Sequence, residues 1–115
     1  MFEDQTGLVI FEKINKNNLY VKLINQFNKD FLLTGLSSSF SQTLLREDLI
    51  HTLVDLIEDL VMNRFSDYLN LLYRVDISEI EIKKLDSSDI HKMSQQVAFL
   101  LLKRECQKVL FKSKC

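Results

Sequence analysis

The 115-residue chain has no proline, no tryptophan and only two glycines, Gly7 and Gly35. Average usage would supply about six prolines and eight glycines. Tight β-hairpins draw on glycine for positive φ, and Rossmann or P-loop sites need several glycines close together, so all three are disfavoured. The composition points to an all-α chain. With 46% hydrophobic and 27% charged residues it reads as one globular domain, which excludes a disordered chain, collagen and a two-domain enzyme.

Cysteine is scarce too. Cys106 and Cys115 fall on one expected helix nine residues apart, which separates them by about 13 Å on opposite faces, so they cannot pair while that helix is intact. Without a disulfide framework or a CxxC motif, a reducing cytoplasm is the expected compartment. The chain begins Met1-Phe2-Glu3-Asp4, acidic where a signal peptide is basic, and its longest apolar run is Val97 to Leu102. Neither secretion nor a membrane span is expected. Cys115 is the last residue rather than fourth from the end, which excludes a CaaX prenylation site.

A net charge of -1 offers no global drive toward nucleic acid, although the charge is unevenly placed. From Arg46 to Glu81 nine acidic residues stand against three basic ones, while Lys92 to Cys115 holds six basic residues against the single Glu105. Acidic and basic helices lying together would neutralise each other within the fold. The alternative is a basic tail that meets an anionic membrane surface or nucleic acid.

Periodicity predicts an irregular bundle of about five helices in a single domain over 19–115, preceded by an extended N-terminal arm over 1–18. The arm's one apolar run, Leu8-Val9-Ile10-Phe11, suits a short strand or packed strap, with disorder as the other reading. Leu19, Leu23 and Phe27 are spaced as a helix that ends before Thr34-Gly35, with Asn18 as its expected N-cap. Ser39 or Ser41 is the expected cap of the next helix, Leu44 to Met62, where Leu49, Leu53, Leu56, Ile57 and Leu60 fall within an arc of about 100°. After Asn63 the apolar set shifts to Phe65, Tyr68, Leu69, Leu72 and Val75, which predicts a break at Asn63-Arg64 with Asn63 capping the following helix. Ser78 and Glu81 form an S-x-x-E capping box for a short helix to about Leu85. Asp86-Ser87-Ser88-Asp89 is a linker, and the last helix runs from Ile90 to about Lys112.

That last helix carries two apolar stripes. Met93, Val97, Leu100, Leu101 and Phe111 form one, and Phe99, Leu102, Cys106, Val109 and Leu110 form the other. A monomer this small buries only about 65% of its unfolded surface, so the second stripe is expected to be an interface, most simply of a homodimer.

Tests for chemistry yield exclusions. His51, with Glu47, Asp48 and Asp55 nearby, lies opposite the apolar stripe of its helix and reads as a solvated face, and no zinc or di-iron spacing is present. Cys106 on an apolar face reads as a buried structural thiol. No catalytic residue, metal or cofactor is assigned. One polar constellation resists this treatment: Tyr73, Arg74, Asp76 and Glu79 together with Arg104, Glu105 and Lys108. Arg104 falls inside an apolar stripe, where an unpaired charge costs several kcal/mol, so it should pair with Asp76, Glu79 or Asp67. The alternative use of these residues is an anion site gripped by Arg74 and Arg104, with Lys108 and Tyr73 on its lining.

Over Leu71-Leu72-Tyr73-Arg74-Val75-Asp76-Ile77-Ser78-Glu79, Leu102-Lys103-Arg104-Glu105-Cys106-Gln107-Lys108-Val109 and the stretch Asn28-Lys29-Asp30-Phe31 to Gly35-Leu36, the chain resembles a group of small, uncharacterised bacterial proteins. The resemblance runs from about Leu19 to Val109 and leaves the arm outside. It implies a bacterial, cytoplasmic, helical protein and transfers no activity. The expected function is therefore a non-enzymatic protein–protein interaction module or small accessory subunit, self-associating through its last helix.

Overall fold

In a computed structural model, which describes residues 5–114, six helices follow one another: α1 (Gln5–Lys16), α2 (Tyr20–Thr34), α3 (Arg46–Asn63), α4 (Phe65–Val75), α5 (Glu79–Lys83) and α6 (Ile90–Ser113). No strand occurs among the described residues. Met1 to Asp4 and Cys115, which entered the reading of targeting and of the thiols, lie outside them.

Helix α6 is the axis of the bundle. It packs against α1, α2, α3 and α4, and α2 and α3 each also rest on α4. Its buried residues come from every side of the helix: Met93, Val97, Ala98, Leu100, Leu101, Leu102, Cys106 and Val109 are all in the core. The molecule measures 37 × 30 × 25 Å with a radius of gyration of 13.3 Å, close to the roughly 13 Å of a globule of this length.

The extended arm is corrected by α1. Gly7, Ile10, Phe11 and Ile14 recur at the i, i+3, i+4, i+7 spacing of one helical face. Gly7 and Ile14 are buried, and Ile10 and Phe11 pack against the core, while Leu8 and Val9 face outward. What reads as one β-branched run is thus split between two sides of a helix. The edge of the Phe11 ring meets Tyr20 with centroids 6.3 Å apart, fixing α1 against α2.

The ends of the helices differ from expectation in an ordered way. Asn18 does not cap α2; at φ 56° it is the left-handed residue that closes α1, with Leu19 N–H donating to Ile14 O. Gly35 (φ 87°) closes α2 and Asp76 (φ 73°) closes α4 in the same conformation. The break between α3 and α4 falls at Arg64, as the phase shift requires, but Arg64 rather than Asn63 occupies the cap position and no side chain caps α4. Leu45, not a serine, precedes α3, and Ser41 instead accepts from Thr43 N–H inside the loop. Ser78 caps α5 by accepting from Ile80 N–H, and Asp89 caps α6 by accepting from Lys92 N–H. Glu81, the other half of the expected capping box, reaches across to Lys103 at 3.5 Å.

Candidate functional site

Of the three carboxylates expected as partners of Arg104, Asp76 is the one it meets, with Arg104 Nη2 3.3 Å from Asp76 Oδ2. Its setting differs from the expectation. The Asp76 side chain is 80% exposed and that of Arg104 35%, so this is a surface pair, a class worth about 0–1 kcal/mol. Tyr73 is 86% exposed, and Arg74 and Glu79 face solvent as well. Arg104 is engaged by Asp76, and Arg74 stands exposed in the last turn of α4.

The buried charge is instead the neighbouring residue. Glu105 is fully buried, and Lys108, one turn on, places Nζ 2.9 Å from Glu105 Oε1 and 2.9 Å from Asp30 Oδ2. Asp30 is a buried residue of α2 that the sequence reading did not select. Gln26 Nε2 donates to Asp30 Oδ2 (3.2 Å), and Lys112 Nζ donates to Gln26 Oε1 (2.7 Å). A polar relay, Lys112–Gln26–Asp30–Lys108–Glu105, therefore runs along the seam between α2 and α6. The signal for it was available, since Gln26 and Asp30 stand four apart beside the stripe Leu23, Phe27 and Phe31.

Protonation follows from this geometry. Burial, and then the neighbouring Asp30, push the Glu105 carboxyl up to about 9, against the pull of Lys108. Burial raises Asp30 as well, but hydrogen bonds from Glu105, Lys108 and Gln26 outweigh it and leave its carboxyl below the ordinary range. At neutral pH the seam thus holds a neutral Glu105 beside an ionised Asp30 matched by Lys108. Neither Glu105 oxygen accepts a well-directed hydrogen bond, which suits an acid that keeps its proton better than a carboxylate. Cys106, beside it, is fully buried and its thiol is pushed up to about 12, first by burial and then by Glu105. It is an inert core group.

The second stripe of α6, expected as an interface, lies largely inside the chain's own bundle. Leu102, Cys106 and Val109 are buried within the single chain, Leu110 packs on the core, and Phe99 is half-buried. The cover is the bundle itself, in which α1, α2, α3 and α4 all pack on α6. His51 and Asp55 lie 3.6 Å apart on a solvated face, and His91 Nδ1 sits 2.8 Å from Glu58 Oε1 at the surface. Among the described residues no group of histidine, cysteine and carboxylate side chains is arranged to hold a metal ion, and no helix is long and apolar enough to cross a membrane.

Two surface concavities stand out by their lining. The first, of about 420 Å³, is an apolar groove where α4, α5 and the start of α6 meet, lined by Phe65, Leu69, Ile82, Leu85, Ile90 and Met93. Phe65 (53%) and Leu69 (48%) remain about half exposed in it. The second is a cleft of about 340 Å³ between α2 and the end of α6, lined by Lys22, Asn25, Gln26, Lys29, Lys112 and Ser113 together with Val109.

Comparison with protein-family models, with curated proteins and with solved structures finds no match for this chain.

Proposed function

We infer that this chain is a non-enzymatic protein–protein interaction module or small accessory subunit, and that it docks its partner in the α4–α5–α6 groove rather than along α6. The observation that carries the reading is the group of large apolar side chains left open in one place: Phe65, Leu69 and Ile90 in the groove, with Met62 exposed on the preceding helix. Scattered exposed apolar residues are ordinary, but a concave cluster of them is where a partner's apolar side chains gain most from leaving water. The chemistry of the core agrees. Glu105 and Cys106, the groups displaced furthest from ordinary acidity, are sealed where no substrate reaches them. Self-association is the case in which the partner is a second copy.

The test compares the full chain with Leu69→Asp by sedimentation equilibrium and by affinity purification from the native cell. The wild type should carry a second copy or a distinct protein at a constant ratio, and the variant should lose it while melting like the wild type. A wild-type chain that stays monomeric and purifies alone overturns the reading, as does a variant that keeps the partner.

A further inference from the structure

The cleft between α2 and the end of α6 concentrates positive charge in a molecule whose total is -1. Its three lysines, Lys22, Lys29 and Lys112, come from two helices and open onto the same space. No carboxylate among the described residues lies within ion-pair distance of any of them. The acids of the surrounding segments explain why. Asp30 is the only acidic residue of α2 and Glu105 the only one in the second half of α6, and both are buried. Asp30 is matched by Lys108. Glu105 keeps its proton and adds no negative charge. The positive field of the cleft is therefore not cancelled from beneath.

The cleft is also partly built in advance. Lys112 is held by Gln26, whose carboxamide is itself anchored on the buried Asp30, so one ammonium and one amide are positioned before any ligand arrives. Asn25 and Ser113 add polar groups at the edge. The carbonyl end of α6 opposes an anion with about half a unit of charge, well below three ammonium groups.

We propose that this cleft binds a small, multiply phosphorylated anion. Lysines rather than arginines line it, and three compact point charges with freely rotating donors suit the spread oxygens of phosphates better than one flat carboxylate. A volume of about 340 Å³ is that of a small-ligand site. Arg104 and Lys108 continue the basic side chains of α6 beyond Lys112, but each is matched by a carboxylate, Asp76 and Asp30 respectively, so the unmatched charge lies in the cleft, which disfavours a nucleic-acid backbone.

The probe is inorganic tripolyphosphate, titrated into the isotope-labelled full chain and followed by amide NMR. Saturable one-to-one shifts centred on Lys22, Lys29 and Lys112 are expected, weakening as salt is raised. Lys22→Gln/Lys29→Gln changes two exposed side chains, should melt like the wild type, and should lose affinity by about tenfold or more. Lys83→Gln/Lys84→Gln, on α5 and its C-cap, serves as the control and should bind unchanged. The proposal is overturned by shifts spread evenly over all lysines, by equal losses in the two double variants, or by binding to anionic phospholipid vesicles with none to free tripolyphosphate. If vesicles bearing a phosphorylated headgroup and free tripolyphosphate compete for the cleft, the phosphate chemistry stands and a lipid is the source.

Discussion

A carboxylic acid in a core is tolerable when it stays neutral, and Glu105 does so by holding its proton against Asp30 and Lys108. The folded chain keeps that proton up to about pH 9, whereas the unfolded chain releases it near 4.5. Across that window the folded state binds more protons, so stability should fall as pH rises through it. Asp30, displaced downward, acts in the opposite sense, and its contribution is lost only as pH drops through its lowered folded value. Urea denaturation at a series of pH values should show this decline between about pH 4.5 and 9 in the wild type and its loss in Glu105→Gln, whose amide has no proton to release. A wild-type stability that stays level over the same range would contradict the assignment. Asp76 allows a second residue-scale prediction, because it combines a left-handed backbone with the ion pair to Arg104. Asp76→Gly should be neutral or slightly stabilising, since glycine takes that φ freely, while Asp76→Ala should cost about 1 kcal/mol. If both cost the same in urea denaturation, the ion pair and not the backbone is the larger effect.

At the scale of elements, α1 is the helix whose docking most needs a measurement. Ile14 is fully buried and Val9 is about half exposed. Ile14→Ala should therefore lower stability by about 2–4 kcal/mol and Val9→Ser by less than about 0.5 kcal/mol. Equal and small effects would mean that α1 does not belong to the cooperative core. Why this helix was not legible is a matter of two residues. Gly7 sits at a buried position without counting as apolar, so the face Gly7, Ile10, Phe11 and Ile14 loses its first member. Asn18 is favoured both before a helix and after one, and the reading that assigned it to the start of α2 removed the stop that α1 needed. Helices α2, α3 and α4 were legible from their apolar stripes, α5 from the Ser78 cap, and α6 from its long apolar run after the Asp86–Asp89 linker. The shift of apolar phase between Leu60 and Phe65 predicts a break at Asn63-Arg64, and the break falls at Arg64.

At the scale of the whole molecule, the expected pair of Arg104 with Asp76 is present, yet the burial attributed to Arg104 belongs to Glu105. One residue is 100° on a helix, and a helix buried nearly all round has no polar face from which to set the phase. The same feature produced the expectation of an interface along α6. How fully α6 is covered depends on the helices packed around it, α1 among them, which periodicity within α6 does not contain. Lys22 and Lys29 were unremarkable in sequence for a related reason, since α2 and the end of α6, which carries Lys112 within the basic tail, are joined only by the tertiary fold. What the sequence did carry about this region was the excess of basic residues near the C-terminus, and its neutralisation by the acidic segment is incomplete: Lys103 meets Glu81 and Arg104 meets Asp76, while Lys112 turns to α2.

The central place of α6 also bears on how the chain is made. Synthesis runs from α1 to α6, so the helix around which α1, α2, α3 and α4 are assembled is the last of the six to emerge. Until then α3 and α1 both lack their main partner, and α1 has only its small contact with α2. Ribosome-bound chains that stop before Ile90 should therefore be open to protease along α1 to α4, and protection should arrive in one step as α6 is completed.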